Sequence, residues 1–177
     1  MTLRSENKTE EMIALMLVLI GVAARLLPHP YNFTPVTAVA LFSGVVLSPA
    51  LALTVPLIVM IASDLLIGPH SLFWLTWGCF FAVTLIGLRV KNSASFRGIF
   101  WATIGGSVLF FVLTNLGVFL SGDMYSKNFS GLAECYVMAI PFFRNSIIGD
   151  LLYSALFFSV FILAKSLSKI STRSAKV

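Results

Sequence analysis

Six apolar runs separated by short polar breaks make up the chain. They cover residues 12–27, 36–47, 51–68, 71–90, 98–121 and 147–167. Because about 20 apolar residues in a helix cross a bilayer, this pattern predicts an all-α bundle of six transmembrane helices that forms one domain over residues 1–177. The second run is short for an upright crossing, so we expect it to extend into its flanks or to be partly re-entrant.

The break between the first two runs, residues 25–37, differs from a flexible linker. Pro28, Pro30 and Pro35 fix φ and bias the residues before them away from helix, which makes this backbone extended and rigid. The polar and aromatic side chains held on the segment include His29, Tyr31 and Asn32. The segment is therefore either a stiff turn between helices or one wall of a binding site.

The break between the last two runs, residues 122–143, is predicted to be a long loop. Its chemistry-bearing residues include Asp123, Tyr125, Lys127, Glu134 and Tyr136. Within this loop, residues 132–140 are apolar enough to form a helix that lies on the membrane surface or caps the bundle.

The composition is that of an integral membrane protein. Hydrophobic residues make up 58% of the chain and charged residues 11%, whereas a soluble domain has about 25% charged residues. Glu6, Glu10 and Glu11 argue against a cleaved signal peptide, because a secretory leader begins with a positive segment. Two cysteines are too few for a disulfide framework, and the net charge of +5 reflects membrane topology and requires no nucleic acid partner.

The basic residues predict the orientation of the six helices. With six spans, both termini and the connection between the fourth and fifth runs lie on one side of the membrane. That side carries Arg89, Lys91, Arg97, Lys165, Lys169, Arg173 and Lys176. The positive-inside rule then places both termini in the cytoplasm. Both histidines, His29 and His70, and most other unusual polar residues consequently face outward.

Four ionisable residues are expected in the outer halves of the spans, where a charge is costly and usually faces the bundle interior. We expect Arg25, Asp64 and Asp150 to form structural ion pairs that join the ends of the first, third and sixth helices. Arg144, with Asn145 beside it at a helix start, either joins this network or donates hydrogen bonds to a ligand.

Cys79 lies near the outer end of the fourth run, close to His70 and Trp74. A free cysteine in an apolar helix is commonly a small hydrophobic residue. The functional alternative is a soft thiolate ligand for a late transition metal, which Gly78 would let approach the backbone. Neither the number nor the spacing of cysteine and histidine supports a zinc site made by the protein alone, and a disulfide with Cys135 is not expected.

Motifs for hydrolysis or nucleotide binding are absent from the sequence, so any ATP coupling must come from a partner. One enzymatic interpretation remains open. A membrane enzyme could use Asp64, Asp150 and His29 for acid–base chemistry, although no pair of nucleophile and base is evident.

Four motifs give the sequence a family resemblance. They are Arg25-Leu-Leu-Pro-His-Pro-Tyr-Asn-Phe-Thr-Pro-Val-Thr-Ala38, Ser63-Asp64, Thr114-Asn115-x-Gly117-Val-x-x-Ser121-Gly122 and Pro141-Phe-Phe-Arg-Asn-Ser-x-x-Gly-Asp-Leu-Leu-Tyr153. The sequence resembles a bacterial family of small six-helix transport proteins that is similar to the substrate-binding S-components of energy-coupling-factor (ECF) vitamin transporters. The resemblance implies a multi-pass protein of the bacterial cytoplasmic (inner) membrane, with no cofactor of its own.

The cysteine at position 79 further resembles that of solitary cobalamin (vitamin B12) transporters of the BtuM type. This likeness implies that Cys79 is the ligand of the cobalt of cobalamin and removes cyanide from cyanocobalamin. His29 would then lie at the rim of the corrin and Arg144 would contact its side amides. The whole expected contact set is Cys79, His29, Tyr31, Asn32, His70, Trp74, Arg144 and Asn145. Two alternatives remain, namely another vitamin or precursor as the ligand and an ECF module as an energising partner.

Overall fold

The computed structural model describes residues 3–68, 70–93 and 95–174, and it places the side chains of residues 8–68, 70–92 and 95–167. The side chains of Lys169, Arg173 and Lys176, which contributed to the predicted orientation, lie outside the described residues. Six α-helices and one 3-10 turn (Lys91–Ser93) make up the described chain. The helices are α1 Leu3–Leu26, α2 Val36–Val46, α3 Pro49–Ile67, α4 Phe73–Val90, α5 Phe96–Ser121 and α6 Phe129–Ser174.

The protein is all-helical, and four of the described helices, α3 to α6, are long and apolar enough to cross a membrane. α2 is apolar but has only 11 residues. α1 is long enough but carries charged residues near both ends, including Glu10 and Arg25. The boundaries of α2, α4 and α5 lie within about two residues of the apolar runs that predicted them.

The short helix α2 forms the centre of the bundle. Ten of its residues, Val36 to Val45, are buried, and it packs against each of the other five helices. A helix that is apolar on all sides is stable only when it is surrounded, which explains why the shortest run lies deepest. Phe42 projects from α2 into a cluster of rings on α6 formed by Phe157, Phe158 and Phe161.

Two glycines let α2 and α4 approach until their backbones touch. A Cβ added at Gly44 would lie 2.4 Å from the carbonyl oxygen of Thr84, and one added at Gly87 would lie 2.5 Å from that of Leu41. Real Cβ atoms do not come this close to backbone oxygens, so both positions require glycine for this packing. The contact makes α2 and α4 a tightly joined pair.

Polar contacts also hold the end of α2 that lies away from the 27–35 loop. Lys91 Nζ donates to the carbonyl oxygen of Leu47 at 2.6 Å, which satisfies an acceptor at the negative end of the α2 dipole. The backbone N–H of Ser48 donates to Glu10 Oε2 at 3.0 Å, which links α1 to the α2–α3 turn. This end of the bundle is therefore cross-linked by charged side chains.

The long loop predicted over residues 122–143 is helical from Phe129 onward. The helix expected over residues 132–140 is therefore present, but it is the first part of α6 and not a separate helix. The connection ends at Asn128, whose Oδ1 accepts from the N–H of Gly131 at 2.9 Å and so caps α6. From Phe129 the helix continues through Pro141 into the sixth apolar run. It persists because Gly131, Cys135 and Ala139 form a buried stripe at four-residue spacing, which is the spacing of one helix face.

Candidate functional site

A cavity of about 230 Å³ lies between α4, α5 and α6 at the end of the bundle that carries the 27–35 loop. Its polar lining residues are Asn32, Thr76, Thr114, Asn115 and Ser146. Its apolar lining residues are Phe110, Phe111, Val118, Ala139, Phe142 and Phe143. The lining formed by described residues includes no charged side chain and no histidine, so it suits an uncharged ligand with apolar and hydrogen-bonding parts.

The polar side chains on the cavity helices donate their protons back to their own helices. Thr114 Oγ1 donates to the carbonyl oxygen of Phe110 at 2.7 Å, and Asn115 Nδ2 donates to that of Phe111 at 2.7 Å. Ser146 Oγ donates to the carbonyl oxygen of Phe142 at 3.2 Å. The hydroxyl groups of Thr114 and Ser146 therefore offer mainly acceptor capacity, whereas Asn115 retains a second amide proton, so the lining can both accept hydrogen bonds from a ligand and donate to it.

The rigid 27–35 loop packs on α6 and closes one side of the cavity. Asn145 Nδ2 donates to the carbonyl oxygen of Tyr31 at 3.1 Å, and the Tyr31 ring lies edge-on to that of Phe142 with centroids 6.0 Å apart. Phe33 packs against Tyr153 with ring centroids 5.7 Å apart. Asn32 adopts a positive φ of 61°, which asparagine tolerates better than most residues, and it joins the cavity lining.

An ion pair between a half-buried arginine and a buried aspartate lies beside the cavity and joins α1, α3 and α4. Arg25 Nη2 lies 2.8 Å from Asp64 Oδ1, at ion-pair distance but without an aligned hydrogen bond. Arg25 Nη1 donates to Ser63 Oγ at 2.6 Å, and Trp77 Nε1 donates to Asp64 Oδ2 at 2.8 Å. His70 Nε2 is 4.0 Å from Asp64 Oδ2 and 3.5 Å from the hydroxyl oxygen of Thr76, which lines the cavity.

Asp150 does not belong to this ion-pair network, which corrects the expectation for that residue. It is 2% exposed, its Oδ2 lies at hydrogen-bond distance, 2.6 Å, from Ser107 Oγ, and the side chain of Thr37 lies nearby. The reason is spatial, because α6 packs against α2 and α5, whereas Arg25 lies on α1, which packs mainly on α3. The polar groups therefore form two separate clusters.

Cys79 is 1% exposed and lies on α4 three residues after Thr76, but it is not part of the cavity lining. Gly78 beside it faces open space, since a Cβ added there would meet no neighbouring atom within 4 Å. Both cysteines are free, and Cys135 Sγ donates to the carbonyl oxygen of Asn115 at 3.4 Å. Among the described residues no group of three or more His, Cys, Asp and Glu could hold a metal ion.

The remaining members of the expected contact set lie at or near the mouth of the bundle. His29 Nδ1 is 2.6 Å from the carbonyl oxygen of Leu27, and His29, Tyr31, His70, Trp74 and Arg144 are all exposed. Of the expected set, only Asn32 lines the cavity. The sequence interpretation missed Thr76 and Ser146 as wall residues, as well as the pair Thr114 and Asn115. A polar pair in the middle of an apolar run was the available signal, because such groups are costly in a membrane and usually face the interior.

Comparison with known proteins gives one match. A family model described as a family of unknown function (DUF6580) matches residues 5–172. No curated protein matches the chain. No solved structure matches it either.

Proposed function

Since the chain belongs to the DUF6580 family, whose function is unknown, we propose from its own geometry that it is a membrane transport protein for a small neutral molecule. The observation that carries this proposal is the uncharged cavity at one end of a bundle of membrane-length helices. A cavity with aromatic walls and a few fixed polar groups is typical of a small-molecule site. Its described lining offers binding groups and no general acid or base, which favours transport over catalysis.

The proposed topology has six membrane helices with both termini in the cytoplasm of a bacterial cell. Arg89, Lys91 and Arg97 lie near the connection between α4 and α5, and the positive-inside rule assigns that connection to the cytoplasm. The cavity lies at the opposite end, with the 27–35 loop, and therefore faces outward. The ligand enters from the outer side of the cytoplasmic membrane.

The cavity chemistry narrows the ligand class. Its volume of about 230 Å³ lies below the range of about 300–1,000 Å³ usual for drug-sized ligands, which favours a compact molecule. Phe110, Phe111 and Phe143 give the cavity aromatic surface that suits a flat ring, and the neighbouring oxygens can accept from amide or hydroxyl groups. A vitamin-sized neutral compound or a precursor of one meets these requirements. The S-component-like resemblance of the sequence points to the same class.

Replacing Asn115 with leucine should weaken binding of such a ligand at least about tenfold, which corresponds to about 1.4 kcal/mol. The substitution removes a polar group from the wall and fills part of the cavity. The measurement is a thermal-unfolding screen of the purified protein against uncharged vitamins and their precursors, followed by titration of each compound that stabilises it. Ser121→Ala is the control, because Ser121 lies on the same helix, is exposed and bonds only to its own helix. Equal affinities of both variants for the compound would contradict the assignment of the site.

Cobalamin is the second candidate ligand, and Cys79 is the observation that favours it. Thr76 lies on the cavity wall, and the Cys79 thiol lies one helical turn farther along α4. A ligand that enters from outside and passes Thr76 would reach this depth. A corrin ring is larger than the cavity, so its binding requires the outer ends of α4, α5 and α6 to separate. A thiolate that took the upper position on cobalt would displace cyanide from cyanocobalamin as the free anion.

Under this second candidate, protein mixed with cyanocobalamin should show the altered visible absorption of a thiolate-ligated corrin. Cys79→Ala should abolish that change, whereas Cys135→Ala should retain it, because Cys135 lies on another helix. The same variants should differ in their ability to support growth of a cobalamin-dependent strain that lacks its own importer. An unchanged spectrum with the wild-type protein would eliminate cobalamin and leave the compact neutral ligand.

A further inference from the structure

A second polar cluster lies inside the bundle, separate from the cavity. It consists of one carboxyl group and four hydroxyl groups contributed by α2, α5 and α6. Its members are Asp150, Thr37, Thr103, Ser107 and Ser154, and all five are buried. An ionisable group inside a membrane bundle is costly to retain and usually has a function.

Asp150 has no cationic partner among the described residues. The two ion pairs found there, Arg25–Asp64 and His70–Asp64, both use Asp64. A buried carboxylate that lacks a counter-charge is strongly destabilising, so such a group binds a cation or stays protonated. The helices packed on this part of α6 offer no compensating charge. α2 contains no titratable residue, and α5 contains only Arg97, which is ten residues before Ser107.

The other titratable groups near Asp150 belong to α6 and to the 27–35 loop. Tyr153 is turned toward the rings of Phe33 and Phe157. Arg144 is exposed, and so is His29 in the loop. None of them forms an ion pair with Asp150.

The hydrogen bonds of Ser107 indicate which protonation state of Asp150 fits the structure. Ser107 Oγ lies 3.0 Å from the carbonyl oxygen of Thr103 and 2.6 Å from Asp150 Oδ2. A serine hydroxyl has one proton, so it cannot fully satisfy two acceptors. If Asp150 is protonated, its carboxyl group donates to Ser107 Oγ, and Ser107 donates to the carbonyl oxygen of Thr103. Each contact then has its own proton.

The same rule, that one hydroxyl proton serves one acceptor, applies to Thr103, which lies one helical turn before Ser107. Thr103 Oγ1 lies 2.9 Å from the carbonyl oxygen of Ile99 and 3.3 Å from Ser154 Oγ. If Thr103 donates to Ile99, Ser154 donates to Thr103. Thr103 and Ser154 thus form a second hydroxyl pair, joined to Ser107 through the carbonyl oxygen of Thr103, while the Ser107 contacts make an uncharged Asp150 the consistent choice.

We infer that Asp150, together with Ser107, Thr37, Thr103 and Ser154, forms a proton-binding site inside the membrane. The bound species is a proton carried by the carboxyl group, which the hydroxyl groups orient. The site lies next to the cavity, because Ser146 on the cavity wall is one helical turn from Asp150, and Phe110 and Phe111 are one turn from Ser107. A role for this proton in transport rests on the proposed function, whereas the existence of the proton site does not.

Infrared spectroscopy of the purified protein in lipid vesicles at neutral pH tests this inference without any ligand. The wild-type protein should show the carbonyl band of a hydrogen-bonded protonated carboxylic acid, and Asp150→Asn should lack it. Asp123→Asn is the matched control, because Asp123 is exposed in the connection before α6 and its loss should leave the band unchanged. Identical spectra of the wild type and Asp150→Asn would overturn the inference.

Three further measurements test for misfolding, for the role of Ser107 and for a metal ion as the bound cation. Asn resembles a protonated Asp in shape, so Asp150→Asn should unfold within a few degrees of the wild type. Ser107→Ala retains the carboxyl group but removes its acceptor, so it should shift the band to higher frequency, and an unshifted band would count against the inference. If Na⁺ but not K⁺ raised the unfolding temperature, and Asp150→Asn lost this rise, the site would bind sodium instead of a proton and the inference would be overturned. None of these experiments uses a ligand of the cavity. A negative result for the proton site can therefore be distinguished from a negative result for the transport proposal.

Discussion

Gly44→Ala and Gly87→Ala should each destabilise the protein by roughly 3 kcal/mol or more, at or beyond the upper end of the usual range for overpacking. The added methyl group at Gly44 would meet the carbonyl oxygen of Thr84 at 2.4 Å, and the one at Gly87 would meet that of Leu41 at 2.5 Å. Backbone atoms cannot rotate away as the end of a side chain can, so α2 and α4 must separate. The measurement is the unfolding temperature and folded yield of each variant in the same detergent.

Gly78 and Gly105 provide the matched controls for these substitutions. Both lie within helices, and a Cβ at either would have no neighbouring atom within 4 Å. Alanine there should stabilise the protein by about 0.5–1 kcal/mol, because glycine is a poor helix former. The two pairs of variants should therefore change the free energy of unfolding in opposite directions. Similar unfolding temperatures for Gly44→Ala and Gly78→Ala would show that the helices do not touch as described.

Arg25→Leu should destabilise the protein by roughly 3–5 kcal/mol, because it leaves the Asp64 carboxylate buried without its partner. Asp64 is 7% exposed, so water cannot replace the lost guanidinium. The hydrogen bond from Trp77 Nε1 remains but does not neutralise the charge. Unfolding of the purified variant by heat, compared with the wild type, measures the loss.

The double variant Arg25→Met with Asp64→Asn tests whether the cost comes from the charge. It removes both charges, and an asparagine at position 64 still accepts from Trp77. We expect it to recover most of the stability that Arg25→Leu loses. Arg144→Gln serves as the control for losing a positive charge, since Arg144 is exposed and should tolerate the change. A double variant as unstable as Arg25→Leu would assign the loss to packing by the arginine stem.

Most helix positions were predictable because a bilayer imposes a simple pattern on the sequence. The runs at residues 36–47, 71–90 and 98–121 became α2, α4 and α5 with nearly the same ends. The depth of α2 was not predictable, because a short apolar run reads the same whether it is central or re-entrant. Its position depends on contacts through Gly44 and Gly87, which pair residues distant in sequence.

A helix over residues 132–140 was expected, but its continuity with the sixth run was missed for a different reason. Pro141 and the polar residues that follow it resemble a break between segments, and proline usually ends a helix. Here the helix is held by contacts outside its own backbone, through the buried stripe of Gly131, Cys135 and Ala139. The small residues of this stripe gave no apolar signal strong enough to extend the sixth run back to residue 129.

The candidate site was predictable in its location but not in its membership. The rigid 27–35 loop does border the cavity, and it contributes Asn32. The walls come from facing sides of three helices, and the rotation of each helix about its axis is set by packing. That rotation turns Thr76 toward the cavity and leaves Cys79 out of the lining, although both residues lie within one turn of α4.

Pro141 has a mechanical consequence for the cavity. A proline lacks the N–H that would bond to the carbonyl oxygen four residues earlier, so α6 is weakened between Val137 and Pro141. Ala139, Phe142 and Phe143 on the cavity wall flank this weak point. Bending at this point would move the segment before Pro141 away from α5. The deeper part of α6 would stay in place and keep the hydrogen bond of Asp150 to Ser107. The mouth of the cavity could then widen without breaking the centre of the bundle.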